Sequence, residues 1–237
     1  MKKKFTHKNV FWIGDSIFVH YRPYLVQYLQ GVTEIENRNG YRQALVDLDH
    51  PRGTNCGDSS MVLSFLKVVL ASPDFSTDLI VINSGLHDIK TDPESGKKQI
   101  AITDYIQNLR GIVELMREYG YRLVWVSTTP VDDQRHQTFC PEVHRHQSDV
   151  LAYNAAAYEI MRHANIPVVD LHGFTASIGE DLYIDHVHYN EKARSLQASY
   201  LSGHIERLLL QGEDLEDGLE QCTSRRRIVL LEDSTGG

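Results

Sequence analysis

The stretch FWIGDS, residues 11–16, joins the end of an apolar run to a glycine, a carboxylate and a hydroxyl. Consecutive apolar residues are typical of a strand buried on both faces of a parallel sheet, so residues 10–13 predict such a strand. The polar residues that follow allow two interpretations. Gly14 and Asp15 are common turn residues, whereas Ser16 at the end of a strand is a candidate nucleophile.

Other short apolar runs, rich in β-branched or aromatic residues, alternate with segments whose apolar residues recur every three or four positions. This alternation predicts a three-layer α/β (αβα) domain whose five-stranded parallel sheet has the flavodoxin-like strand order. Pro167 cannot donate to a β-ladder, so the last strand is expected at the edge of the sheet or to start there. The predicted further strands are 44–46, 79–82, 123–126 and 166–169. The predicted helices are 24–29 after Pro23, 62–70, 106–116 ending near Gly120, 150–161 after Ser148 as N-cap, and 196–209 after Asn190.

The composition narrows the class of protein. Of the 237 residues, 41% are hydrophobic, which is enough for a sizeable core, and the net charge of −8 argues against binding to nucleic acid. Three cysteines at wide spacing, without a CxxC, indicate neither a disulfide framework nor a zinc knuckle. The basic start is not followed by an apolar signal-peptide core, and no apolar run could span a membrane. We expect a cytoplasmic protein with one domain over residues 1–211 and a charged extension over 212–237.

Ligands of open α/β sheets bind beyond the carboxyl ends of the strands. Polar residues follow each predicted strand at that position, as in NCGDSS at 55–60 and NSGLHD at 83–88, and DHVH at 185–188 precedes the last helix. The long polar connection over 130–147 is expected to have a function or to be mobile.

Ser16 needs a general base, and the base needs an orienting group. His188 and Asp185, three residues apart in one short turn, can supply both. An attack by serine creates an oxyanion, which needs fixed donors. The candidate donors are the backbone N–H groups of Ser16 and Gly57 and the side chain of His87.

Together these blocks resemble those of the GDSL-type or SGNH hydrolases. The matching elements are GDS at 14–16, the glycine of NCGDS, GLHD at 85–88 and D-x-x-H at 185–188, and the resemblance covers about residues 9–210. It implies a serine esterase with Ser16 as nucleophile, His188 as base and Asp185 as orienter. His87 departs from the family, which usually has asparagine there. A histidine can donate through either ring nitrogen, so its tautomer and pKa become part of the mechanism.

Several neighbouring polar residues are candidates for contacts with substrate: Asp15, Thr129, His136 and His186. Asp15 is expected mainly to stabilise its turn by local hydrogen bonds. His186 competes with His188 for the role of base, but from the position after Asp185 its side chain is expected to point away from that carboxylate. The loosely spaced histidines of 130–147, which include His136, are expected to line a pocket or face solvent instead of binding metal. No metal and no cofactor are expected.

The expected substrate is a small-molecule ester, with a short acyl group such as acetyl on a polar alcohol or carbohydrate. Long-acyl lipid or thioester hydrolysis uses the same core and stays open. A metal-dependent phosphoesterase is a further alternative, because GLHD is similar to the G-N-H-[DE] element of those enzymes. However, the second aspartate of their G-D-x-x-D element and their amino-terminal D-x-H are missing. The last alternative is a non-catalytic α/β binding module. No oligomeric state is predicted.

Overall fold

The computed structural model describes residues 8–210 of the chain, which contain one five-stranded sheet with helices on both sides. All strand pairs are parallel, and the strand order is β2-β1-β3-β4-β5. This is the predicted α/β fold with the flavodoxin-like order. The strands are β1 (Lys8–Ile13), β2 (Thr33–Asn37), β3 (Leu79–Asn83), β4 (Leu123–Val126) and β5 (Val168–Val169).

Right-handed crossovers in this strand order place α1 on one face of the sheet and α3, α4 and α6 on the other. Tyr24 and Tyr28 of α1 hydrogen-bond to Glu191 and Ser195, so the helical residues 191–202 lie beside α1. Besides these residues, the helices are α1 (Ser16–Tyr28), α2 (Tyr41–Val46), α3 (Ser59–Val69), α4 (Ile102–Tyr119), α5 (Asp133–Phe139), α6 (Gln147–His163) and α7 (Leu171–Ser177).

The described chain divides into a main compact unit that ends at Ser202 and a second unit that begins at Gly203. In the second unit, residues 203–210 are helical. The charged extension expected over 212–237 lies outside the described residues. Within 8–210, no helix combines the length and the apolar character needed to cross a membrane.

The predicted second strand is wrong. Residues 44–46 belong to helix α2, in which Leu45 and Val46 are exposed, and the strand lies earlier, at Thr33–Asn37. Among residues 8–210 this strand pairs only with β1 and forms an edge of the sheet, where its charged side chains can face solvent. It therefore lacks the continuous apolar run by which the buried strands are recognisable.

The predicted start of the first helix is also wrong. Helix α1 begins at Ser16, and Pro23 lies inside it instead of in its first turn. Asp15 is the N-cap and accepts a hydrogen bond from the backbone N–H of Ile17, so the helix begins as soon as β1 ends. A side chain at Gly14 would place its Cβ 2.5 Å from the Cβ of Phe18, and this close approach explains the glycine of the GDS block.

The connection over 130–147 is more ordered than predicted, because it contains helix α5 with Asp132 as its N-cap. The next helix, α6, begins at Gln147, and its N-cap position is occupied by His146 and not by Ser148. The polar composition of this stretch hid a helix of only two turns. Two further expectations are confirmed: Gly120 ends α4, and β5 is an edge strand that starts directly after Pro167.

Candidate active site

The GDS block lies where β1 passes into α1. Ser16 is the first residue of α1, and the residue is 2% exposed. Its position follows from the preceding residues, because Gly14 permits the sharp turn and Asp15 caps the helix. The Ser16 hydroxyl is therefore held at the carboxyl edge of the sheet, at the N-terminus of a helix.

Ser16, His188 and Asp185 form one chain of hydrogen bonds, which we call the relay. His188 Nε2 lies 2.8 Å from Ser16 Oγ, and His188 Nδ1 lies 2.8 Å from Asp185 Oδ2. The other carboxylate oxygen of Asp185 accepts the backbone N–H groups of Val187 and His188 at 2.9 and 2.7 Å. Both ends of the Asp185–His188 turn are thereby fixed, and the ring nitrogen that faces Ser16 is free to accept a proton.

The electrostatics of Asp185 suit an orienting carboxylate. Its partial burial alone would raise the pKa, but the hydrogen bond and charge of His188, together with the two backbone N–H groups, lower the pKa well below its usual value. Asp185 is therefore ionised at neutral pH and favours the His188 tautomer that carries its proton on Nδ1.

The second block is joined directly to the first. Asn55 pairs with Gly14 as an extra bridge beside the sheet, and the Cys56 N–H donates to the Gly14 carbonyl at 2.9 Å. This pairing brings Gly57 next to the turn that carries Ser16. Gly57 has a φ of 74°, which favours glycine, and its N–H donates to the Asn55 side chain at 3.1 Å. In the role of oxyanion donor, this N–H would be shared with or released from Asn55.

In the third block, His87 is buried, and its Nδ1 has no hydrogen-bond partner among the described residues. Burial lowers its pKa well below the usual value, and the nearby charges of Lys90 and Arg145 act in the same direction. The ring is therefore neutral and carries one N–H. A buried ring nitrogen without a partner is costly in free energy, which is a reason to look for a hydrogen-bond partner that arrives with a substrate.

Asp88 connects the second and third blocks. Its carboxylate accepts the Ser59 N–H at 3.0 and 3.1 Å and also the Ser59 hydroxyl, at the start of α3. Burial raises the pKa of Asp88 to about 7, against the opposing effect of these hydrogen bonds. The loop that carries His87 is thus anchored to the helix that follows Gly57.

The further candidates for substrate contact have different surroundings. Asp15 Oδ1 caps α1, while its Oδ2 is buried and has no partner in the described part of the chain. Thr129 is buried beyond β4, and its Oγ1 has no partner among residues 8–210.

His186 does not point fully away from Asp185 as expected, because its Nδ1 lies 3.7 Å from Asp185 Oδ1. Its Nε2 lies 3.0 Å from the carboxylate of Asp49. Of the two histidines, His188 is the one bonded to Ser16.

His136 adjoins the relay through histidine rings packed edge to face, with interplanar angles of 89° and 79°. The His136 and His186 ring centres are 4.9 Å apart, and those of His186 and His188 are 5.6 Å apart. His136 Nε2 lies 2.7 Å from Nη1 of Arg145, whose Nε donates to the Leu86 carbonyl at 2.8 Å. The interior side of the 130–147 segment thus belongs to the same site.

Ligand atoms of His136, Cys140 and His186 lie within 4.8 Å of one another, which raises the question of a metal ion. Arginine can only donate, so His136 Nε2 must accept from Arg145 and His136 Nδ1 must carry the proton of the neutral ring. Neither nitrogen then offers a free lone pair, and the guanidinium adds a positive charge beside the group. These residues fit a metal ion poorly.

Sequence reasoning did not identify Arg145, Asn55 or Asp49 as parts of the site. Arg145 stands between two histidines in HRH, residues 144–146, and its sequence pattern is that of an exposed polar loop. Only 2% of Arg145 is exposed. Asn55 lies two residues before Gly57 in the NCGDSS block, and this short distance in sequence was the one indication that Asn55 belongs to the site.

Comparisons with known proteins concern the family and the fold of the chain. The model of the family described as GDSL-like lipase/acylhydrolase matches residues 10–201. No curated protein shows significant sequence similarity to the chain.

Solved structures with similar folds have little sequence in common with the chain. A lipase/acylhydrolase from Enterococcus faecalis is 18% identical, covers 84% of this chain and 95% of its own, and has a TM-score of 0.61. For Axe2, an acetylxylan esterase from Geobacillus stearothermophilus, the identity is 17%, the coverage 84% and 94%, and the TM-score 0.61. The esterase EstA from Pseudoalteromonas sp. is 12% identical, covers 85% of this chain and 98% of its own, and has a TM-score of 0.59. At these identities the structures show a shared fold.

Proposed function

The chain belongs to the GDSL-like lipase/acylhydrolase family of ester hydrolases, and from this premise we propose that it cleaves carboxylic esters through an acyl-enzyme on Ser16. The observation that carries the proposal is the relay, in which two hydrogen bonds of 2.8 Å connect Ser16 to His188 and His188 to Asp185. Hydrogen-bond distance between nucleophile and base is the geometric requirement for activating a serine.

The relay supports a two-step mechanism. His188 Nε2 takes the proton of Ser16 Oγ while Oγ attacks the ester carbonyl, and Asp185 stabilises the imidazolium that forms. The tetrahedral intermediate collapses when His188 returns the proton to the leaving alcohol. Water then attacks the acyl-enzyme with His188 again as base, and this step releases the acid and restores Ser16.

The proposed oxyanion hole consists of the Ser16 N–H, the Gly57 N–H and His87. The Ser16 N–H lies at the start of α1, where backbone N–H groups have no partner within the helix. His87 contributes a neutral N–H donor, which needs no protonation to act. Asn55 and Asp88 hold the Gly57 and His87 loops in place through the contacts described above.

The proposed substrate is an ester with a small acyl group, such as acetyl, on a polar alcohol or carbohydrate. The polar and charged side chains around the relay, among them His136, His186 and Arg145, support a polar alcohol. Axe2, which shares the fold, is named an acetylxylan esterase. Asp15, Thr129, His136 and His186 are proposed as the surrounding groups that shape this pocket.

The first test is Ser16→Ala on aryl acetates. We expect the variant to lose kcat by about 10⁴–10⁶-fold, because the nucleophile of a serine relay is removed. The matched control is Ser64→Ala, which removes an exposed hydroxyl of α3 that bonds only within its own helix. A fluorophosphonate should label the wild-type protein and the control but not Ser16→Ala, and EDTA should leave the activity unchanged. Full activity of Ser16→Ala would refute the proposal, and activity on aryl phosphates that EDTA abolishes would favour a phosphoesterase.

A further inference from the structure

Arg145 is a buried cation beside the relay without a carboxylate close enough to form an ion pair. It is 2% exposed, and its two hydrogen bonds go to neutral acceptors, the Leu86 carbonyl and His136 Nε2. Within residues 8–210 no carboxylate oxygen forms an ion pair with it. Asp49, Asp15 and Asp185 act on it only as more distant charges. Buried charges in proteins are normally paired, so this one requires an explanation.

Asp49 has the largest effect of these carboxylates, but it is already bonded to another residue. Its carboxylate bonds to His186 Nε2 at 3.0 Å, and this hydrogen bond lowers the pKa of Asp49 to about 2. Lys90 adds a second cation nearby, with its Nζ on the Asp49 backbone carbonyl at 2.8 Å. Asp49 therefore faces two cations, Arg145 and Lys90, while its carboxylate is already bonded to His186.

His136 adds a second donor to the same place. Because its Nε2 accepts from Arg145, its Nδ1 carries the proton, and this buried N–H has no partner among the described residues. Burial lowers the pKa of His136 to about 3, with Arg145 next in effect, so the ring stays neutral. We call Arg145 and His136 the donor cluster.

The position of the donor cluster relates it to the alcohol part of the ester. The cluster is connected to His188 through the rings of His136 and His186, on the side of the base. In the proposed mechanism His188 delivers its proton to the leaving alcohol, so the alcohol lies on this side of the scissile bond.

We propose that the substrate is a short-acyl ester whose alcohol carries a carboxylate, and that Arg145 and the N–H of His136 bind this carboxylate. The proposal rests on the ester hydrolase function proposed above and specifies its substrate class. The planar guanidinium matches a carboxylate or a phosphate. A singly charged carboxylate fits better than a dianionic phosphate, because the neutral His136 leaves one unpaired positive charge to balance.

The test compares 4-acetoxybenzoate with its neutral methyl ester, methyl 4-acetoxybenzoate. We expect Arg145→Gln to lower the ratio of kcat/KM for the anionic over the neutral ester by about 10–100-fold, the range for a lost charged hydrogen bond. The intrinsic reactivities of the two esters cancel when this ratio is compared between enzymes. Arg145→Lys keeps the charge without the planar fork and should give an intermediate ratio.

The matched control is Arg162→Gln, which removes the same charge from an exposed ion pair with Glu159 at the end of α6. Its ratio should equal that of the wild type, so a general effect of net charge is separated from a local contact. An equal loss for both esters in Arg145→Gln would overturn the proposal. Arg145 would then be a positioning residue that acts on the His87 loop through the Leu86 carbonyl.

Two further arms distinguish the sources of the anion. Monomethyl succinate carries a carboxylate on its acyl group, and methyl butanoate is an uncharged ester of similar size. We expect Arg145→Gln to leave the ratio of kcat/KM between these two esters unchanged. Inorganic phosphate should inhibit less than 4-hydroxybenzoate at the same concentration. An Arg145-dependent preference on the acyl side, or stronger inhibition by phosphate, would contradict the assignment of the alcohol-side carboxylate.

A binding measurement separates this proposal from the hydrolase function. In Ser16→Ala, calorimetric titration with 4-hydroxybenzoate should show saturable binding that weakens at least about tenfold when Arg145→Gln is added. If no ester is cleaved but this binding occurs, the hydrolase proposal fails while the anion site stands. If neutral esters are cleaved and the binding does not depend on Arg145, the anion site fails alone. If circular dichroism shows that Arg145→Gln does not fold, Arg145→Lys is the variant to compare. A ratio of kcat/KM for the anionic over the neutral ester equal to that of the wild type would then refute a role for the planar guanidinium.

Discussion

The relay and the donor cluster lie side by side, and they differ in how fully their hydrogen bonds are satisfied. In the relay, Asp185 and His188 bond to each other, to the backbone and to Ser16. In the donor cluster, the described residues 8–210 provide no paired carboxylate for Arg145 and no acceptor for His136 Nδ1. Groups whose hydrogen bonds are complete within the chain are held in the geometry that a reaction needs. Unpaired buried donors, by contrast, destabilise the folded state until an acceptor binds to them. In our proposal, the relay acts on the ester bond and the donor cluster selects the substrate.

Breaking the relay should produce the largest effect in this comparison. Asp185→Asn keeps the shape of the side chain but loses the carboxylate that favours the active tautomer of His188. We expect kcat to fall on the order of 10³–10⁴-fold for neutral and anionic esters alike. The control is Asp181→Asn, which removes an exposed carboxylate at a φ of 56°, a conformation that asparagine tolerates. A loss confined to anionic esters would mean that Asp185 does not serve the base.

His87 tests where the boundary between the two regions lies, because its Nδ1 is buried and unpaired like that of His136. As an oxyanion donor it acts in the transition state, so His87→Ala should lower kcat about 10²–10³-fold with little change in KM. His87→Asn restores an N–H donor at this position and should recover much of kcat. Steady-state kinetics with methyl 4-acetoxybenzoate measures both variants. An unchanged kcat with a raised KM would move His87 into substrate binding.

Asp88 supports the loop that carries His87 and lies outside the reacting groups. Its substitution should therefore change the free energy of unfolding more than kcat. The folded pKa of about 7 exceeds the usual 3.8, so the folded state holds an extra proton between these values. The contribution of Asp88 to the free energy of unfolding therefore falls as pH rises from about 4 to 7, by about 2–4 kcal/mol. Asp88→Asn cannot titrate and should lack this contribution.

Urea denaturation of both proteins between pH 4 and 8 measures the effect of Asp88. The difference between the two stability curves isolates this carboxyl, because all other titrating groups are common to both proteins. The difference should shift in favour of Asp88→Asn as pH rises. Parallel curves would show that Asp88 is ionised across the whole range and that its hydrogen bonds from Ser59 outweigh its burial.

The central strands and the amphipathic helices were predictable because their residues interact with a uniformly apolar environment. Continuous apolar runs identified β1, β3 and β4, and the stripes of α3 and α4 showed the helical period. Edge strand β2 was missed because one of its sides has no neighbouring strand. The short helix α5 was missed because its seven residues are almost entirely polar.

By itself, the sequence determined the α/β class, the strand order and the candidate residues at the carboxyl edge of the sheet, among them Ser16, Gly57, His87, Asp185 and His188. These follow from local patterns, since buried strands need apolar residues, tight turns need glycine, and polar residues at strand ends gather at one edge. Only the tertiary structure decided that Arg145 is buried beside the relay, with neutral acceptors and no paired carboxylate among residues 8–210. Burial and pairing of a charge depend on residues far away in the chain, such as Leu86 and Asp49, and no local pattern around residue 145 carries that information.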